Sequence, residues 1–113
     1  MMSKTRVDIQ RKALAILVGG DVGTPMSDDD ATTLDGYIDS VVDEINEDGT
    51  TYISDPDTLP DALFLSFTKL VANAAAEEFG AKSDENAAQQ LRNRIRVITR
   101  QTPGYGPQQV EYF

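Results

Sequence analysis

Carboxylates and arginines are almost the only residues in this chain with chemical potential. Nineteen acids face ten bases, with no histidine and no cysteine among 113 residues. Without histidine the usual general base, zinc ligand and pH switch are missing. Without cysteine there are neither disulfides nor thiolate metal sites. Asp28-Asp29-Asp30 and Asn46-Glu47-Asp48-Gly49 invite a test as calcium loops. Counted from Asp28, the sixth position is Thr33 and the twelfth Asp39, where such a loop needs glycine and a bidentate glutamate. Acids at the start of a helix explain the triplet better. The serines have no histidine to activate them, and Lys69 sits on a polar helix strip where it stays solvated. No enzyme activity, metal or cofactor is expected.

Two charged stripes and one tail are more informative. Asp35, Asp39 and Asp43 recur every four residues, as do Arg92, Arg96 and Arg100. Like charges at i, i+4 cost a helix a few tenths of a kcal/mol per pair. Two solvated faces would explain them, the arginines also suiting a helix C-terminus. The sharper reading makes them subunit-interface residues, one stripe meeting the other within a subunit or between neighbours. In the tail, Tyr105, Tyr112 and Phe113 are three of the eight aromatics. A purely solvated tail does not need them. Either the segment folds back on the domain or it docks on a partner, with Tyr105, Val110, Tyr112 and Phe113 as docking candidates. Asp39-Ser40-Val41 is superficially similar to the Asp-Ser-Leu motif of acidic carrier proteins. That serine should open a helix, whereas Ser40 falls mid-helix.

The elements that position these residues read as four helices in one domain. The most apolar runs from Pro60 to Phe79, with Gly80 as its stop. Leu63, Phe64, Phe67, Leu70, Val71, Ala74, Ala75 and Phe79 cover a wide arc, and Ser66, Lys69, Asn73 and Glu77 form a narrow polar strip. A helix so apolar around its girth should be central, with neighbours on several sides. Thr5 and Asp8 cap a first helix over 5–18, ended by Gly19-Gly20. Ser27 caps a second over 27–46, with Leu34, Tyr37, Ile38, Val41, Val42 and Ile45 at helical spacing. Thr50 to Ile53 could form a short extended piece. Ser83 caps a fourth helix over 83–100, with Ala87, Ala88, Leu91, Ile95 and Ile98 inward. Pro103, Gly104, Gly106 and Pro107 then forbid helix. The fold class is therefore all-α, a four-helix bundle-like domain over 1–100 with an extended C-terminal arm over 101–113.

Charge is distributed unevenly. The net charge is −9, but residues 1–20 carry +3, residues 21–61 carry −13 with no base at all, and residues 62–113 carry +1. This argues against nonspecific nucleic-acid binding over the whole surface and favours charged faces that meet something complementary. No apolar run has the length of a membrane span, and the N-terminus lacks a signal-peptide core. A cytoplasmic site of synthesis is expected, with no membrane partner.

The layout resembles a known group. Ala13-Leu14-Ala15-Ile16-Leu17 into Gly19-Gly20, then Thr24-Pro25-Met26-Ser27-Asp28-Asp29-Asp30-Ala31 into the amphipathic helix, is similar to small head–tail adaptor (connector, head completion) proteins of tailed bacteriophages. So are Leu70-Val71-Ala72-Asn73-Ala74-Ala75-Ala76-Glu77-Glu78-Phe79-Gly80, the arginine-bearing helix after it, and the ending Glu111-Tyr112-Phe113. The resemblance implies a helical structural protein at the head–tail interface of the virion. It implies a homo-oligomeric ring, dodecameric in such proteins, beneath the portal protein. The ring would extend the DNA channel without reading sequence, receive the tail or stopper protein, and reach the portal with its C-terminal arms. Other classes remain open: an acidic regulatory module that mimics DNA, and the carrier protein.

Overall fold

A computed structural model describes residues 3–20, 23 and 25–101. Four helices dominate it: α1 Arg6–Val18, α2 Asp28–Glu47, α3 Asp61–Ala75 and α4 Glu85–Gln101. Helix α3 packs against all three others, and α1 also packs on α2. The chain is all-α and bundle-like, as its periodicity predicts, with the apolar third helix at the centre.

Local chemistry sets the helix ends. Thr5 and Asp8 form a reciprocal capping box at α1, and Gly19 closes the helix at φ +75°. The Ser27 side chain accepts the Asp30 N–H at α2, with three aspartates in the first turn, where the helix dipole favours them. Gly80, at φ +81°, ends the segment after α3, where a side chain would meet left-handed strain. That segment departs from one expectation: residues Ala76–Phe79 tighten into a 3-10 turn instead of continuing α3. The start of α4 departs from another. Asp84, not Ser83, is the cap, accepting the N–H groups of Asn86 and Ala87.

A single core cluster joins Ile9, Ala13 and Leu14 of α1, Leu34 and Ile38 of α2, Phe67, Leu70 and Val71 of α3, and Ile95 of α4, with Leu91 packed at its edge. The apolar arc of α3 is narrower than its composition suggests. Ala74 and Leu65 face solvent, while Thr68 is fully buried. On α1 likewise, Val7, Ile16 and Val18 are exposed and Gln10 is buried. A Cβ built on Gly36 meets nothing within 4 Å, so no close contact explains that glycine.

The connection from α2 to α3 is irregular. Residues 50–53 form no strand, although Thr50, Thr51 and Ile53 are buried. The Asn46 side chain replaces a sheet partner, accepting the Ile53 N–H at 2.8 Å and donating to the Ile53 carbonyl at 2.9 Å. Buried backbone polar groups need such partners. Strand pairing occurs instead between β1, Ser3–Lys4, and β2, Leu59–Pro60, antiparallel with Lys4 opposite Leu59. Pro60 therefore lies just before α3 rather than in its first turn. It fits a short edge strand because it lacks an N–H to donate.

Candidate functional site

The aspartate stripe lies on α2, within reach of the first turn of α1. Arg6 donates through Nη1 to Asp35 Oδ1 at 2.9 Å and through Nη2 to Asp39 Oδ1 at 2.6 Å. Gln10, one turn further along α1, donates to the same Asp35 oxygen at 3.1 Å. The hydrogen bond to Asp39, and then that to Asp35, raise the Arg6 pKa above its ordinary value, against the opposing effect of burial. Two of the three stripe aspartates thus have an intramolecular cation. Asp43 has no ion pair among the described residues.

The arginine stripe on α4 is divided in the same way. Arg92, partly buried, donates to Glu44 Oε1 at 2.6 Å and lies 3.8 Å from Asp48 Oδ2, tying α4 to the end of α2. Arg96 donates to Asn93 Oδ1 at 3.0 Å on its own helix. Arg96 and Arg100 have no ion pair among the described residues. Within the chain the two stripes do not meet. Asp35 and Asp39 meet Arg6, and Arg92 meets Glu44 and Asp48. Ser40 sits inside α2 and is exposed.

Spacing along one helix could not reveal Arg6 and Glu44, because their partners lie across the fold. One signal was present for Arg6. A base at the first position of a helix works against the helix dipole, so it calls for a compensating acid nearby.

A second feature is lined in part by α3. A groove of about 330 Å³ runs over α3 between α1 and α4, lined by Ile16 and Leu17, by Ala72 and Ala76, and by Ala87 and Leu91. Lys69 and Lys82 also line it. The docking candidates Tyr105, Val110, Tyr112 and Phe113 lie outside the described residues. Among the described residues no group of three or more acids could hold a metal ion, and no helix is long and apolar enough to cross a membrane.

No protein-family model, no curated protein and no solved structure matches the chain.

Proposed function

We propose that this chain is a structural virion protein of a tailed bacteriophage, an adaptor that joins the portal of a DNA-filled head to the tail. In this reading copies form a ring that extends the DNA channel, and the C-terminal arm reaches the portal. The observation that carries it is a pair of unlike charged surfaces on one subunit. Asp43, next to Asp35 and Asp39, marks α2, while Arg96 and Arg100 mark α4 without ion-pair partners among the described residues. A rotationally closed ring needs two different, complementary patches on each subunit. Each exposed pair contributes only about 0–1 kcal/mol, but a ring repeats it, and salt weakens it.

The test is assembly on purified portal rings, followed by native mass spectrometry. Arg96→Glu should reduce the number of copies bound, and Asp43→Arg in the same chain should partly restore it. Asp43 is the better partner to reverse because Asp39 is already held by Arg6. Assembly indifferent to Arg96→Glu and to high salt would sink the charge pairing.

The base-free acidic run over 21–61 favours a second reading, a regulatory module that mimics DNA and occupies a DNA-binding protein. Such a protein ignores portal rings and competes with duplex DNA for its target.

A further inference from the structure

We infer that the groove between α1 and α4 takes Tyr52 from a second copy of this chain, so that copies join head to tail. The contact uses neither Asp43 nor Arg96 and needs no portal. It therefore goes beyond the charge pairing proposed above and stands or falls apart from it.

Tyr52 is held out from the surface. It is 56% exposed, the highest value of any large apolar side chain among the described residues, while Thr51 and Ile53 on either side of it are buried. Both neighbours are pinned. Thr51 meets Thr99 through their hydroxyls at 2.8 Å, and Ile53 gives both its backbone groups to Asn46. A ring displayed on clamped backbone loses little freedom on binding, and tyrosine is a frequent anchor at interfaces. The nearby acids Glu47, Asp55 and Asp57 are exposed and have no ion-pair partner among the described residues.

The groove offers the complement. Ala72, Ala76, Ala81 and Ala87 leave room in it, and Ile16 and Leu91 add apolar surface. At about 330 Å³ it lies at the lower end of small-molecule pockets, about 300–1,000 Å³, a size that suits one inserted side chain. Lys69 and Lys82 in its lining are exposed and have no ion-pair partner among the described residues. Acids arriving with Tyr52 would meet these two cations, and a lysine beside the ring adds a cation–π attraction. The ring cannot come from the same chain. Thr51 ties the Tyr52 segment to Thr99, whereas Leu91 and Ala87 of the groove lie roughly 12 and 18 Å back along α4 at 1.5 Å per residue. Unlike patches towards the two ends of α4 make the contact heterologous, able to repeat from copy to copy.

Nuclear magnetic resonance on two mixed full-length chains tests this. One copy is isotope-labelled. The other is unlabelled and carries a nitroxide on Ser54→Cys, a single attachment point because the chain has no native cysteine. At about 1 mM chain, enough to populate a weak contact, the amide signals of Ala72, Ala76 and Ala87 in the isotope-labelled copy should lose most of their intensity, and that of Thr99 little. Adding Tyr52→Ser to the nitroxide copy should restore the lost intensity. Lys69→Glu with Lys82→Glu in the isotope-labelled copy should restore part of it, as should high salt, and Asp55→Lys in the nitroxide copy should then bring some of the loss back. The amide spectrum of each variant alone reports whether its fold is kept. Undiminished groove signals in the mixture, equal loss along the whole of α4, or a loss that persists with Tyr52→Ser would overturn the proposal. So would a loss seen only when nitroxide and isotope share one chain, which would make the contact internal.

Discussion

Asn73 holds both backbone groups of Asp84: its Nδ2 donates to the Asp84 carbonyl at 3.1 Å, and its Oδ1 accepts the Asp84 N–H at 2.8 Å. Asp84 in turn caps α4. One amide side chain on α3 therefore positions the start of the next helix, and with it the arginine face that α4 carries. Asn73→Ala should cost about 1–2 kcal/mol, for two partly solvated bonds. Urea denaturation measures the loss. Amide exchange should rise first at residues 84–88. A uniform rise across the whole chain would mean that the contact does not act locally.

Phe67 and Leu65 are two positions apart on α3 and should behave as opposites. Phe67 is fully buried and Leu65 about half exposed. Phe67→Ala should cost about 3–5 kcal/mol, through lost burial and a cavity. Leu65→Ala should fall within about 0.5 kcal/mol. Similar costs for both would place the core on the wrong side of α3.

Thr99 Oγ1 lies 2.8 Å from Thr51 Oγ1, and both residues are buried. Thr99→Val leaves the Thr51 hydroxyl without this partner and should cost about 1–3 kcal/mol, whereas changing both to valine should cost less than the single changes add up to. A double-mutant cycle reads the difference directly. Strict additivity would show that the two hydroxyls do not depend on each other.

Arg6 should stabilise the domain over the whole neutral range. Its pKa is raised, chiefly by the hydrogen bond to Asp39. A raised folded pKa means a contribution fully present below the unfolded value and lost only as pH climbs through the folded value above it. Arg6→Met should thus lower stability without altering its slope between about pH 6 and 9. With both partners well exposed, the loss is about 0.5–1 kcal/mol and should shrink in high salt. A loss that grows with salt would contradict the ionic origin.

Tyr37 should titrate above the ordinary 10.0 of tyrosine, because its hydroxyl donates to Glu78 Oε2 at 3.0 Å and the bond requires the neutral phenol. The contact stabilises the fold below about pH 10 and is lost as pH rises through the raised value. Absorbance titration of Glu78→Gln should show one phenol moving down, and Tyr37→Phe should remove that phenol. An unchanged curve for Glu78→Gln would dismiss the bond.

Much of the architecture was legible because it is written in short spacings. The Thr5–Asp8 box, the Ser27 cap and the glycine stops at Gly19 and Gly80 each act within a few residues, so helix positions follow from neighbours along the chain. Leu34, Ile38, Val41 and Ile45 were recognisable as core because a straight helix repeats a face at a known period. Where two signals competed locally, the fold chose between them. Ser83 and Asp84 can both cap, and Asn73 decides by gripping Asp84.

The charged surfaces were legible only as stripes. Periodicity placed Asp35, Asp39 and Asp43 on one flank but could not show that Arg6, 29 and 33 residues away in the chain, takes the first two. Nor could it show Arg92 turning to Glu44, 48 residues away. The same holds for the apolar girth of α3. Composition determined that this helix is central, while the packing of the other helices around it decided that Thr68 is covered and Leu65 is not. Spacing along a chain specifies which residues share a face. What covers that face is set by neighbours whose separation in sequence carries no periodic signal, and only tertiary packing supplies them.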